Sequence, residues 1–494
     1  MDVKSLRQAH SHHEENVGLW NYYRMAYDGG KPFIEAALGG RHPRESTENY
    51  MARLADGILI NYNAAIIDIF NYYLTEKTPL RDLTKLGLGN DDQWKMFLKS
   101  CDYNGTDFNN FINDCHRDAS VCGTVGVLVT KPKSDVLTIA EEKKYRIYPY
   151  LVAYAAKDII DWRYGKHSVS GVPCLTYLKL RESSDNQKIQ RYLVWTLDSW
   201  TFYEVSKDTI GNEQVVTVDS GVNTFNEIPF VWLANIRVAG NRAHGKSDLV
   251  DVAPIVASIV RNISSGDEII KFAGFPIFKE PMVPEGQIDN DETEVGPTAV
   301  KHFYKEYGEP GWIETAVLEP ISAILSWINF KADELYRAVH LSGVHGQRKS
   351  ANSQASGIAL RYEFQQLKTV LGRKADSIAE AERQIIRFWC KWQGRDFNEE
   401  DIDVRRSKEF SVDDLAMDLE NMIVSMKAVV SEKFRVLVQK KIARRTLVDM
   451  SDLDHKVVES EIEKSKGKIE FDETGGRRQD VPLGKTPVVQ ESNE

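Results

Sequence analysis

A stretch from Ser247 to Trp392 constrains this 494-residue chain most: two amphipathic helices separated by a helix-breaking insertion, followed by a third and far longer helix. Leu249, Val252, Val256, Ile259 and Ile263 recur at spacings of three and four, which puts them on one stripe. Pro320 suits the first position of the second helix, where Ile321, Leu325, Ile328, Ala332, Leu335 and Val339 repeat the same spacing. Between them Pro276, Pro281, Pro284, Pro297 and Pro310 forbid a continuous helix, so the insertion reads as loops and short strands around the acidic run Asp289, Asp291, Glu292 and Glu294. The segment Gly343 to Gly357 has no apolar period and holds Arg348 and Lys349, which reads as an exposed, mobile, basic loop. Ile358 to Trp392 then runs Leu360, Phe364, Leu367, Leu371, Ala375, Ile378, Ala381, Ile385, Trp389 and Trp392 without a proline. At about 1.5 Å per residue that helix is roughly 50 Å long.

The flanking segments read as attachments. Residues 1–118 look helical, with Trp20, Tyr22, Tyr23 and Tyr27 clustered before Gly29 and Gly30. Ser46 offers an N-cap to a single helix carrying Tyr50, Leu54, Ile58, Tyr62, Ile66, Ile69 and Tyr73. From about Ser120 the period changes to two, in runs near Val125–Thr130, Arg146–Val152, Leu175–Leu180, Arg191–Leu197, Trp200–Val205, Val215–Val218 and Phe230–Leu233. Those runs predict a largely antiparallel β or α+β domain. After the long helix, Phe410 to Gln439 is again amphipathic, a basic cluster of Lys440, Lys441, Arg444 and Arg445 follows, and Leu453 to Lys464 predicts a short helix. The polar residues beyond Gly467 read as a disordered or partner-ordered tail.

A net charge of −10 argues against a surface that grips nucleic-acid phosphates over most of its area, though not against one that lets a polyanion slide past. Five scattered cysteines without metal-ligand spacing suggest free thiols in a reducing compartment. No stretch reaches the length of a membrane span, and the polar N-terminus does not resemble a signal peptide, so a cytoplasmic origin is expected.

Gly240-Asn241-Arg242-Ala243-His244-Gly245-Lys246-Ser247 satisfies phosphate-binding-loop spacing, with Lys246 for phosphates and Ser247 for magnesium. The helical sequence after it lacks the alternating strands such a domain needs, and the preferred reading is a glycine-rich hinge in which Ser247 caps the next helix. His10, His12 and His13 are read as solvated, and the acidic run lacks the glycine and terminal glutamate of a calcium loop. Trp389 and Trp392 are read as packing residues. No catalytic arrangement, cofactor or metal is expected.

The order of these segments resembles that of the tailed-bacteriophage portal, or head-to-tail connector, proteins. The residues carrying the resemblance are Trp20–Tyr27, His42-Pro43-Arg44-Glu45-Ser46 before Tyr50 and Arg53, Ile228-Pro229-Phe230-Val231, and Gly245-Lys246-Ser247-Asp248-Leu249. Arg348-Lys349-Ser350-Ala351 through Ser356-Gly357 to Ala359-Leu360-Arg361 is also similar, as is Ala443-Arg444-Arg445-Thr446 followed by Asp452-Leu453-Asp454, Glu459 and Glu461. The resemblance implies an α+β, mainly helical protein of wing, stem and crown, with a β-rich wing domain and a small α/β clip. On that division, 1–118 is the helical part of the wing, 119–246 its β-rich domain, 247–273 and 319–341 the stem helices, and 274–318 the clip. The tunnel loop is 342–357, the long wing helix and its connection 358–409, the crown 410–466 and the flexible tail 467–494. It further implies a dodecameric ring at one capsid vertex of a virion, assembled in the host cytoplasm, through which terminase packages double-stranded DNA and from which the genome is ejected. The implied partners are the terminase large subunit, a head-tail adaptor, the major capsid protein and scaffold. His345, Gln347, Arg348 and Lys349 would touch DNA from the tunnel loop, Lys331 and Arg337 would line the channel, and Asp289, Asp291, Glu292 and Glu294 would form the clip's partner surface.

Overall fold

The structure is a computed structural model that describes residues 1–43, 45–133, 138–167, 171–184, 189–207, 212–241, 243–274, 277–279, 311–313, 317–341, 357–408, 410, 431–446 and 452–465. The chain opens through α1 (Val3–Arg7), α2 (Ser11–Asp28), α3 (Gly30–Leu38), α4 (Thr47–Ala55), α5 (Tyr62–Thr75), the short strand β1 (Leu80–Asp82), α6 (Asp92–Lys99) and α7 (Phe108–Cys122). Ser46 caps α4 as its sequence position suggests, accepting the Asn49 N–H at 3.1 Å. The single helix expected from Ser46 to Tyr73 is broken in two. A Cβ on Gly57 would lie 2.5 Å from Ile34 Cγ2, so the chain passes α3 at a glycine. Asn61 then starts α5, accepting the Ala64 N–H while its amide donates to the Tyr27 carbonyl at 2.9 Å.

The two-residue period builds two antiparallel sheets. In the first, β2 (Thr124–Thr130) lies between β3 (Tyr150–Ala155) and β9 (Phe230–Ala234), with α8 (Ile139–Lys144) in the β2–β3 connection. β2 is buried on both faces except at its last residue, as its β-branched run requires. The second is a five-stranded meander of β4 (Ile159–Lys166), β5 (Pro173–Glu182), β6 (Gln190–Thr196), β7 (Ser199–Lys207) and β8 (Glu213–Val222). β4 has no counterpart among the expected runs, because Ile159, Ile160, Asp161 and Trp162 are all buried and erase the alternation that marks a half-exposed strand.

The meander also holds the N-terminus. Leu6 has no exposed surface, and Lys179, buried in mid-strand, donates to the carbonyls of Ser5 at 2.9 Å and Gln8 at 2.5 Å. This corrects the expectation that His10, His12 and His13 are solvated. His10 stacks on Trp162 at 4.2 Å, His12 stacks on His244 at 3.6 Å, and His13 Nε2 donates to the Lys157 carbonyl at 2.9 Å.

After β9 come the paired strands β10 (Ile236–Arg237) and β11 (Gly245–Lys246), α9 (Val252–Gly274), the antiparallel pair β12 (Ile277–Lys279) and β13 (Gly311–Ile313), α10 (Leu318–Ala338) and α11 (Gly357–Trp392). β14 (Asp403–Arg405) then returns to pair with β1. α11 runs through the core. Leu371, Ile378, Ile385 and Trp389 are buried, and Trp389 meets Trp94 edge-on at 4.9 Å, so it is a packing residue. The fold class is α+β. Residues 411–494 form a second unit, in which α12 (Glu432–Thr446) and α13 (Asp452–Lys464) are tied by Lys440 and Glu463. The basic residues Lys440, Lys441, Arg444 and Arg445 lie within α12 and do not follow the helix; most of the amphipathic stretch expected from Phe410 to Gln439 lies outside the described residues.

Candidate functional site

The phosphate-loop spacing at Gly240–Ser247 does not fold as a phosphate cradle. Such a cradle needs a run of free backbone N–H groups facing one point at a helix N-terminus. Here Gly245 and Lys246 are a strand, paired with Arg237 and Ile236, and α9 begins only at Val252. The glycine has a packing role: a Cβ on Gly245 would lie 2.4 Å from the Gly123 carbonyl oxygen. Lys246 reaches Asp251 at 3.1 Å. Ser247 is buried and donates its hydroxyl to the Val121 carbonyl at 2.5 Å, so it is turned away from any solvent-side ligand. Its oxygen also accepts the Leu249 N–H at 3.0 Å, which caps the turn leading into α9 and not the helix itself.

That turn delivers the chain into the α9–α10 hairpin. Leu249, Val252, Val256 and Ile259 are buried as their stripe predicts, and the Arg261 guanidinium donates to the Ala37 carbonyl at 2.6 Å, fixing α9 against α3. α10 returns antiparallel to α9: Lys331 Nζ donates to Ser258 Oγ at 2.6 Å, and farther up Ile324 sits beside Gly266. Near the C-terminal end of α10, Ala332 and Leu335 are buried and Tyr336 meets Tyr62 edge-on at 6.0 Å. Toward its start the helix loses this cover. Leu318 is 85% exposed, Leu325 55%, Trp327 52% and Phe330 50%. Trp327 and Phe330 stack on each other at 5.2 Å with their planes 8° apart, and Ile270 of α9 is also exposed. At about 100° per residue Leu318 and Leu325 lie on one flank of the helix and the stacked Trp327 and Phe330 on another.

The two cationic positions singled out on α10 differ. Lys331 sits in the seam between the helices, its ammonium over the Trp327 ring at 5.1 Å, and desolvation with Arg261 nearby lowers its pKa. Arg337 is exposed and pairs with Glu334 one turn back on the same helix. His345, Gln347, Arg348 and Lys349, and the acidic residues Asp289, Asp291, Glu292 and Glu294, lie outside the described residues.

No family model matches the sequence, and no curated protein matches it. Among solved structures, a chain from the virion of the native gene transfer agent (GTA) particle is 11% identical with a TM-score of 0.40, the alignment covering 83% of this chain and 98% of that one. A chain from the neck of the native GTA particle, computed with C12 symmetry, is 10% identical with a TM-score of 0.41 over the same shares. A third, from the neck of the empty particle with C6 symmetry, is 10% identical with a TM-score of 0.39.

Trp327 and Phe330 were not singled out from the sequence. They lie three apart on α10 and off its apolar stripe, of which Ala332 and Leu335 are buried while Leu325 is exposed, so the spacing alone does not separate the covered side from the uncovered one. Among the described residues no group of three or more histidine, cysteine, aspartate or glutamate side chains is placed to hold a metal ion. Nor is any helix among them long and apolar enough to cross a membrane.

Proposed function

We propose that this chain is a non-enzymatic subunit of a portal-like ring through which double-stranded DNA enters and leaves a virion. The observation that carries the proposal is the uncovered, mutually stacked pair Trp327 and Phe330 on α10, a helix that is already closed against α9 along another side. A lateral face that pairs with a different face of the next copy is a heterologous contact, and it closes into a ring when the rotation between copies divides a full turn. On this reading α9 and α10 are the stem, 274–318 the clip and 342–357 the tunnel loop. The helical and β-rich parts before Ser247 and the long helix α11 form the wing, and the helices beyond Phe410 the crown. Repetition of a chain with net charge −10 around an axis gives a wall that repels a duplex, so DNA slips past without sticking. His345, Gln347, Arg348 and Lys349 on the tunnel loop supply brief, sequence-independent phosphate contacts, with Arg337 as a further cation facing the channel. Lys331 contributes mainly by holding the stem closed. The acidic residues Asp289, Asp291, Glu292 and Glu294 of the clip meet the terminase large subunit or a head-tail adaptor.

The test is the particle itself. Negative-stain images and solution mass of the purified chain should show rings with a central hole, built from many copies. A mass of one subunit at every concentration and salt would overturn the proposal. ATP hydrolysis abolished by Lys246→Ala would do so in favour of a nucleotide-dependent enzyme.

A further inference from the structure

A cleft of about 440 Å³ opens between the β2–β3 side of the three-stranded sheet and the meander, far in sequence from the stem. Its walls are aromatic: Tyr150, Tyr154, Trp195, Trp200 and Phe202 all line it. Two backbone features shape it. Trp200 packs over Gly221, where a Cβ would lie 2.7 Å from the indole nitrogen, so the glycine lets the ring lie against the neighbouring strand. Between Phe202 and Tyr203 the β7–β8 register skips a residue, a bulge that turns Val218 and Asp219 into the lining.

The charges around the cleft do not balance locally. At the rim Lys131 is paired with Glu142 at 2.7 Å and Lys133 with Asp219 at 2.6 Å. Glu182, half-buried in the lining, accepts a hydrogen bond from the Tyr154 hydroxyl, and among the described residues it has no cationic partner in contact. Arg191 stands opposite it across the β5–β6 pair and partly offsets the effect of burial on it, but its guanidinium is engaged by Glu204 at 3.3 Å. Trp195 is buried, and among the described residues its indole N–H has no acceptor. A carboxylate with no cation in direct contact among the described residues, beside aromatic faces whose quadrupoles are negative, is an environment that favours a cation with apolar substituents.

We propose that this cleft binds an organic cation, an alkylammonium or guanidinium group, with its charge at Glu182 as counter-ion and its apolar part along the aromatic lining toward Trp200. The cation reaches the site either as a free amine or as a lysine or arginine side chain of a partner segment. The proposal does not rest on ring formation. Burial raises the Glu182 carboxyl above its ordinary value, so binding weakens as acid protonates it.

Calorimetric titration of the full chain with n-butylammonium, with the peptide acetyl-Gly-Lys-Gly-amide and with neutral 1-butanol tests this. Expected is saturable binding of one cation per chain, weakened about tenfold or more by Glu182→Gln, and no binding of the alcohol. Tighter binding of the peptide than of the amine identifies a protein side chain as the source, and equal binding identifies a free amine. Trp200→Leu, which keeps an apolar residue on the strand, should weaken binding in the same direction, with the melting temperature as the check on folding for both variants. Absence of saturable binding, equal binding to the Glu182→Gln protein, or equal binding of 1-butanol overturns the proposal.

Discussion

Lys374 of α11 and Asp248, the residue that enters the turn before α9, form an ion pair in which the lysine has no exposed side-chain surface. The ammonium also lies over the Phe70 ring at 4.4 Å. The pair joins the long helix α11 to the turn through which the chain enters the α9–α10 hairpin. Burial lowers the Lys374 pKa, and Asp248 opposes that shift. Lys374→Met should destabilise the protein by about 3–5 kcal/mol in urea unfolding, because it leaves Asp248 buried without a partner. Lys374→Met combined with Asp248→Leu should recover most of that loss, since no lone charge is then left behind. Equal loss in the single and double variants would show that the pair is not what the site depends on.

The histidine stack gives stability a pH dependence of definite sign. Burial, followed by the neighbouring His12, His10 and His13, pushes His244 from 6.5 down to about 3. His12 is lowered for the same first reason, with Glu15 partly offsetting it. The unfolded chain therefore binds protons that the folded chain refuses. Stability is greatest above about pH 6.5 and falls as pH drops through the window from there to about 3, by up to about 1.4 kcal/mol per pH unit for His244. His244→Phe should flatten the profile of melting temperature against pH in that window while keeping a ring stacked on His12 and edge-on to Trp162. A profile unchanged by the substitution would remove His244 as the source.

How much of this was legible in the sequence depended on whether a residue's partner lay nearby. The stripe of Val252, Val256 and Ile259 and the cap at Ser46 are local patterns, and the structure has both. The split between α4 and α5 has a local sign, Gly57 beside Asp56, but its cause is Ile34 on another helix. Lys179 reads as an ordinary exposed strand lysine until the carbonyls of Ser5 and Gln8 take its ammonium. His12 looks solvated until His244, distant in the chain, supplies the ring it stacks on. At the candidate site, Ser247 looks like a magnesium ligand by spacing alone, and only the nearness of Val121 shows the hydroxyl to be spent on a backbone carbonyl.

The Lys246 position separates spacing from geometry. Because its ammonium is engaged with Asp251 and its backbone with β10, Lys246→Ala should leave ATP binding undetectable before and after the change. It should cost stability by no more than about 1 kcal/mol, the range of an exposed pair. Calorimetric titration with magnesium-ATP and a thermal melt measure both. Saturable nucleotide binding lost on substitution would reinstate the phosphate-loop reading.

Arg348 and Lys349 are expected to act on DNA and not on assembly. Arg348→Glu with Lys349→Glu reverses two charges per copy, and a ring multiplies that reversal around the channel. Rings should form as before, while packaging or retention of the genome falls and the salt dependence of DNA association flattens. Packaging and retention equal to those of the unaltered chain would take the loop out of the mechanism.

Trp327 and Phe330 are the decisive positions for association. Half-exposed and stacked on one another, they contribute little to the fold of a single copy but would sit at the centre of a lateral contact, where buried aromatic residues carry most of the binding energy. Trp327→Ala with Phe330→Ala should leave the far-UV spectrum intact and change the melting temperature of the isolated subunit by only a few degrees. The same change should weaken association by about 2–4 kcal/mol per contact, seen as smaller species in analytical ultracentrifugation. Ala332→Asp, on the face turned toward α9, should instead unfold the hairpin, because it buries an unpaired carboxylate. The contrast between the two faces is the test. If the aromatic pair can be removed and full-sized rings still form at the same concentration, the uncovered side of α10 is not where copies meet.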